Sequence, residues 1–391
     1  MMKYNKEELT TLLDYCTPLQ SETIKAIIDH GNFSKAAQHL KKDESSIRRM
    51  FYKIQSIASS AGFAPQANLN HPVPMGFAIK KISTFTNKNG ETNEWVQKVA
   101  KEEDRFNAMQ EAIESLCSQV EGKSKPVRNI NIVDDDLLTA YIIGDQHHSM
   151  LSWHEETGDD YDMCISETLL TNAVSHLTDA TRSTQSALIV NCGDWFHGND
   201  GTNRTPKSGN VLDVDGRLTK IIRTGMQLMV KIIDKCLLKH NTVMVRNAMG
   251  NHSYTLEMFM SEFLSAWYRN EPRVKIFNEP KPFWYHQFGK TLIAVTHGDT
   301  VKPSDLGELM ASDCEDIWSE TKHRYWILGH VHSKHSWEMR TCIAESFNTL
   351  AAKDAWHNEH GYRSKRNMTA ITYHKQHGEI SRNTVDIGAI S

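Results

Sequence analysis

The sequence predicts an α/β fold, a two-sheet β-sandwich flanked by helices, with an all-α module in front of it. Three observations predict it. Over residues 1–60 the apolar residues recur at helical spacing. From about residue 137 the rhythm changes to short apolar runs separated by long helical stretches, the pattern of strands buried on both faces. A short cluster of glycine, aspartate, asparagine or histidine follows each of five such runs, at the strand end where open α/β sheets collect ligands.

Composition bounds the reading. At 391 residues the chain exceeds one small core. A net charge of -4 gives no global basic signature, so contact with nucleic acid would need a local patch. The seven cysteines, at 16, 117, 164, 192, 236, 314 and 342, show no paired spacing and suggest reduced thiols in a cytoplasmic setting. The longest apolar runs are strand-sized, so no membrane span is expected, and Met1-Met2-Lys3-Tyr4-Asn5 lacks a secretory signal. The 20 histidines are the unusual count, and many lie in or beside the five clusters. Oligomeric state has no sequence signal.

In the first 60 residues, Ile24, Ile27 and Ile28 mark a helix from Glu22 to His30 that stops at Gly31-Asn32. A second helix is expected from Ser34 to about Leu40, and a third, capped by Asp43, from Glu44 to about Ser59 with Ile47, Met50, Phe51 and Ile54 buried. The third would turn Arg48, Arg49 and Lys53 outward. Ser34 to Ile54 resembles a helix-turn-helix: Ala37 sits at its small position and Leu40, Ile47 and Met50 at its core positions. Lys41 stands where glycine is usual in the turn, and Lys42 where an apolar residue is expected. The resemblance implies DNA binding through Arg48, Arg49 and Lys53; a bundle for docking or oligomerisation is the alternative. Residues 61–136 then read as a linker over 61–75, a β-hairpin (Phe77–Phe85 and Glu94–Val99 around the Asn87–Gly90 turn), a helix over 102–120 and a break over 121–127.

The catalytic domain is expected over 137–391. Its strands are placed at Leu137–Ile143, Ala187–Val190, Val243–Val245, Leu292–Val295 and Tyr325–Leu328, and its long helices at Glu167–Thr178, Leu218–His240 and Leu256–Trp267. The five clusters are Gly144-Asp145-Gln146-His147, Gly193-Asp194-Trp195-Phe196-His197, Gly250-Asn251-His252, His297-Gly298-Asp299 and Gly329-His330-Val331-His332. Any one alone is a common loop start. Together they offer carboxylates, imidazoles and an amide oxygen, a mixed donor set that suits manganese, iron, zinc or nickel better than magnesium or calcium. His148, His154, His323 and His335 are expected outside that set.

The five clusters, in this order, resemble the calcineurin-like metallophosphoesterase superfamily over roughly residues 137–335. The resemblance implies two divalent metal ions, manganese first, with Asp145, His147 and His332 on one, Asn251, His297 and His330 on the other, and Asp194 bridging. It implies that a water shared between the metals attacks the phosphorus while His252 assists the leaving group. Ser253 departs from the acidic residue that many members carry after Gly-Asn-His. The second cluster lacks the Asp-Arg-Gly of protein phosphatases; with His197 it is similar to the double-strand-break-repair nucleases, whose histidine here assists work on nucleic-acid strands. Joined to a helix-turn-helix, an order similar to bacteriophage-type members, this points to a DNA nuclease. The alternative is a phosphodiesterase or phosphatase acting on a small nucleotide or phosphoprotein, and a silent metal site on a DNA-binding regulator is a third reading. Past residue 339, Trp356 precedes a basic cluster of Arg363, Lys365 and Arg366, a composition that can stack bases and bind phosphates. The runs Met368–His374 and Thr384–Ile387 are expected to complete the second sheet.

Overall fold

The computed structural model describes residues 5–60, 63–64, 69–70, 77–86, 92–100, 113–114, 116–124 and 134–390. The hairpin turn at 87–90, most of the linker and most of the helix expected over 102–120 lie outside them. The chain divides into two compact units, Met1–Ala112 and Ile113–Ser391. Among the described residues no helix is long and apolar enough to cross a membrane.

In the first unit, α1 (Lys6–Thr11) leads into α2 (Pro18–His30), α3 (Phe33–Leu40) and α4 (Glu44–Ser60). Gly31 ends α2 in the left-handed region at φ 78°, and the Asn32 side chain caps α3 by accepting from Lys35 N at 2.8 Å. The helices close on Leu12, Ile24, Ile27, Ala37, Ile47, Phe51 and Ile54. Lys41, where glycine is usual, takes the left-handed turn itself at φ 52°. Arg48, Arg49 and Lys53 are all exposed. Arg48 is nonetheless engaged: it donates to Glu44 Oε1 at 2.6 Å and lies 4.8 Å from the Phe33 ring centroid. Two short strands, β1 (Phe63–Ala64) and β2 (Leu69–Asn70), pair antiparallel inside the expected linker. The expected hairpin is present as β3 (Phe77–Thr86) against β4 (Thr92–Ala100).

The second unit contains a six-stranded and a five-stranded sheet. In the first sheet β5 (Asp134–Ile143), β6 (Thr184–Asn191), β7 (Thr242–Asn247) and β8 (Val274–Phe277) run parallel, with β14 (Asn367–His374) antiparallel on β5 and β15 (Gly378–Asp386) on the edge. The second sheet orders β12 (His335–Glu338), β13 (Ile343–Ser346), β11 (His323–Leu328), β10 (Thr291–Val295) and β9 (Trp284–Phe288). The two C-terminal runs expected in the second sheet therefore extend the first. Their apolar pattern signals a strand, but only the Thr369–Ile142 to His374–Leu137 pairing selects the partner.

Alternation decides which side chains meet. Leu138, Ala140 and Ile142 of β5, with Leu188 and Val190 of β6, face Ile293, Val295 and Ile327 of the second sheet. The outer face of the second sheet packs Leu292, Ala294, Trp326 and Leu328 against Leu306 and Met310 of a helix over Leu306–Asp313. The other face of the first sheet carries the helices α5 (Met163–Ala180), α6 (Leu218–Leu237) and α7 (Tyr254–Trp267). At the amino end of the first sheet, buried His240 bonds Tyr141 Oη and Thr184 Oγ1, each at 2.8 Å.

Candidate metal centre

Strands β5, β6, β7, β10 and β11 all release their chain at one edge, and each release carries one of the five clusters. The turns are tight enough to force unusual backbone. Of the eight described non-glycine residues at positive φ, six are here: Asp145, His147, Ser149, Asp194, His330 and His332. Such conformations cost about 1–3 kcal/mol each and persist only where the surroundings impose them. Gly250 is needed for close approach, because a Cβ there would overlap the Asp194 carboxylate. Gly193 stands at φ 100° with His297 Nδ1 2.6 Å from where a Cβ would sit.

The seven expected ligand residues are brought together. The donor atoms of Asp145, His147 and His332 lie within 4.8 Å of one another, as do those of Asp145, Asp194 and His297. Asp145 thus belongs to both groups. His147 Nε2 faces His332 Nε2 at 3.0 Å, and His297 Nε2 lies 2.9 Å from Asn251 Oδ1 and 3.3 Å from Asp194 Oδ2. The His330 ring packs edge-on against His297 at 5.1 Å, while its backbone N–H donates to both Asp145 oxygens at 3.0 and 2.9 Å.

This donor set fits cations. His297 Nδ1 sits 2.9 Å from the Cys192 carbonyl, which can only accept, so Nδ1 carries the hydrogen. A neutral ring then turns its Nε2 lone pair toward the oxygens of Asn251 and Asp194, an arrangement of acceptors that a shared cation resolves. Without one the ring must stay protonated: burial opposes this, but Asp194 and Asp145 raise its pKa to about 10. Burial pushes Asp145 up to about 8, whereas His297 holds Asp194 below the usual carboxylate range despite burial. Burial lowers His332 to about 3 and takes His147 well down, leaving both as neutral rings, the form that ligates metal.

The expected non-ligand histidines take different places. His252 lines the cavity over the site, and its Nδ1 lies 3.0 Å from the His197 carbonyl, which leaves Nε2 as the nitrogen able to exchange a proton. His197 is 1 % exposed and packs behind His147, Nδ1 to Nδ1 at 3.2 Å, and it does not line that cavity. His148 is buried between Ser166 Oγ and Thr224 Oγ1, and His154 and His335 are exposed.

Glu257 was not visible to sequence reasoning. It is fully buried on α7, accepts from Trp195 N (2.8 Å) and Ser253 Oγ (2.9 Å) through one oxygen and from Gly250 N (2.6 Å) through the other. It ties the second cluster to the third directly, and Ser253, the position where the sequence departs from the family pattern, adds its hydroxyl to the same carboxylate. The four-residue spacing Ser253-Glu257 on one helix face was the available signal. Two further contributors come from the tail. Asp354 Oδ1 accepts from His357 Nδ1 at 2.6 Å, and the His357 ring stacks on His332 at 4.9 Å. Arg366, grouped by sequence with Arg363 and Lys365, instead donates to the Leu350 carbonyl and lies 3.5 Å from Asp159, so the exposed basic residues there are Arg363 and Lys365.

No family profile matches the chain, and no curated protein does. Among solved structures, a conserved Streptococcus pneumoniae protein described as a predicted phosphoesterase aligns at 9% identity and TM-score 0.25, covering 64% of this chain and 98% of that one. Vacuolar Protein Sorting 29 from Cryptosporidium parvum aligns at 12% identity and TM-score 0.29, over 64% and 100%. A 5'-nucleotidase from Candida albicans aligns at 9% identity and TM-score 0.29, over 68% of this chain and 54% of that one. At these identities and TM-scores the likeness does not bear on function, and the α/β two-sheet architecture rests on the strand order above.

Proposed function

We propose that the chain is a two-metal phosphoesterase of the calcineurin-like kind and that its substrate is a phosphodiester of nucleic acid, DNA first. The observation that carries this reading is the convergence of side chains from four strand-end clusters into two donor groups that share Asp145, each within 4.8 Å, with Asn251 of the remaining cluster 2.9 Å from His297 Nε2. Asp145, His147 and His332 would hold one cation and Asn251, His297 and His330 the other, with Asp194 between them. Manganese is the first choice, and iron, zinc or nickel also suit these donors. When bound, the cations supply Lewis-acid polarisation of the phosphoryl oxygens and an activated water.

The chain's own groups do the rest. His252, fixed by its Nδ1 bond to the His197 carbonyl, presents Nε2 to hand a proton to the departing oxygen. His197 orients His147 from behind, and Glu257 holds the second and third clusters in register. The choice of nucleic acid rests on His197 in place of the phosphatase Asp-Arg-Gly, and on the helix-turn-helix likeness of α3 and α4. There Arg49 and Lys53 are the better candidates for phosphate contact, because Arg48 is already paired with Glu44.

A small nucleotide diester is the second reading. The cavity above the donors is about 490 Å³, in the range that encloses a small organic ligand. A substrate panel with added manganese separates the two: linear and circular DNA, RNA, a cyclic dinucleotide, bis-p-nitrophenyl phosphate and a phosphopeptide. The nuclease reading expects DNA cleavage at the highest kcat/KM. Preference for the phosphopeptide overturns it, and preference for the cyclic dinucleotide selects the second reading.

A further inference from the structure

The cavity above the donor groups, floored by Asp194, Asn251, His330 and His332, has a second wall of a different chemistry. Trp356 and Tyr362 line it and remain 46% and 43% exposed. Their rings stack at 5.6 Å with an interplanar angle of 30°, and His360 stacks on Trp356 at 4.2 Å. Clustered aromatic surface rimmed by the polar groups of a cleft is the composition of a ligand-binding groove.

The wall is built, not incidental. Asp354 accepts from the backbone N–H of His357 at 2.8 Å as well as from its ring, and so fixes the short helix Ala355–Glu359. Asn358 Nδ2 donates to the Glu156 carbonyl at 2.9 Å, and Tyr362 N to the His357 carbonyl at 3.0 Å. His357 links the wall to the donors, stacked on His332 at one side and edge-on to Tyr362 at 5.3 Å on the other. A wall held this way loses little freedom on binding. The next basic residues in sequence, Arg363 and Lys365, are exposed, and Arg363 also donates to the Tyr362 carbonyl at 2.8 Å.

We infer that Trp356 and Tyr362 form a stacking platform for a nucleobase of a nucleic-acid strand whose neighbouring phosphate lies at the donor groups. The inference rests on the phosphodiesterase reading for the phosphate, but the base contact can be judged without turnover. A flat, uncharged π surface is the occupant that aromatic faces recognise regardless of sequence, and a strand supplies one at a fixed reach from every phosphate. The alternative occupant is the ring of a phosphotyrosine peptide.

The test uses the full chain with manganese and two diesters sharing one leaving group, thymidine 5'-(p-nitrophenyl phosphate) and methyl p-nitrophenyl phosphate. The expected result is a preference of about tenfold or more in kcat/KM for the thymidine ester, the effect of one base stack. Trp356→Leu and Tyr362→Leu should bring the ratio toward one, and Trp356→Phe should retain most of it. General structural damage lowers both rates and leaves the ratio alone, so an unchanged ratio overturns the platform. If neither diester is cleaved, the phosphodiesterase reading fails by itself. The platform is then judged by the Kd of a methylphosphonate-linked dithymidine, expected to weaken about tenfold in Trp356→Leu. Equal affinity in wild type and variant rejects it. A ten-residue oligothymidylate should bind more tightly than thymidine monophosphate; equal binding, or tighter binding of a phosphotyrosine peptide, overturns the strand as occupant.

Discussion

Single residues at this site divide into those whose chemistry is written in the sequence and those whose chemistry is written only in space. Asp145, His147, Asp194, Asn251, His297, His330 and His332 were legible as candidates because each sits within four residues of an apolar strand's end and the five clusters occur in one order along the chain. Glu257, in the first turn of α7, was not, because its spacing from Ser253 names only one of its partners and the other two are brought to it by the fold. Its two backbone donors belong to loops 62 and 7 residues away. Glu257→Ala leaves the Trp195 and Gly250 N–H groups and the Ser253 hydroxyl without their acceptor, at about 1–3 kcal/mol for each buried donor. Manganese affinity should fall by about 10–100-fold, as for other groups that orient ligands from behind. Calorimetric titration checks this, and a soluble variant binding manganese as tightly as wild type removes Glu257 from the positioning role.

At the scale of elements, apolar runs located the strands well where both faces are covered, as in β5, β6, β7, β10 and β11. Strands β8, β9, β12 and β13 were missed. They are four or five residues long, and β12 and β8 are largely unburied, so their sequences carry little apolar signal. Sheet membership of β14 and β15 was beyond reach for another reason: pairing partners are chosen by tertiary contacts, not by pattern. In the N-terminal unit the sequence departure at Lys41 has a physical counterpart in its φ of 52°. A non-glycine residue there costs about 1 kcal/mol. Lys41→Gly should therefore stabilise the α3–α4 turn by up to that amount, measured as a higher urea midpoint for melting of the helical signal. A lower midpoint would mean that the lysine side chain contributes more than its backbone strain costs.

For the whole molecule, the candidate site and a buried titratable histidine lie at opposite ends of the first sheet. The carboxyl end carries the cluster loops with their positive-φ residues, and the amino end carries buried His240 between Tyr141 and Thr184. Burial lowers the His240 pKa from 6.5 to about 4, partly offset by its bond to the Thr184 carbonyl. A depressed pKa means the folded state resists the proton that the unfolded chain accepts. Its contribution is complete above about pH 6.5 and is lost as pH falls toward about 4, on the order of 3 kcal/mol in all. Urea unfolding at pH 7.5 and pH 5 should show a smaller pH difference for His240→Gln than for wild type. An identical difference in both would place the acid sensitivity elsewhere.

If the five clusters make one two-cation site, metal stoichiometry reports it. Full-length protein dialysed against manganese should hold two equivalents per chain by elemental analysis, with spin coupling between them in electron paramagnetic resonance. Asp194→Asn should lose the coupling and at least one equivalent while the far-ultraviolet circular dichroism stays unchanged. One uncoupled ion in wild type, or two coupled ions in a folded Asp194→Asn variant, would rule out a two-cation site bridged by Asp194.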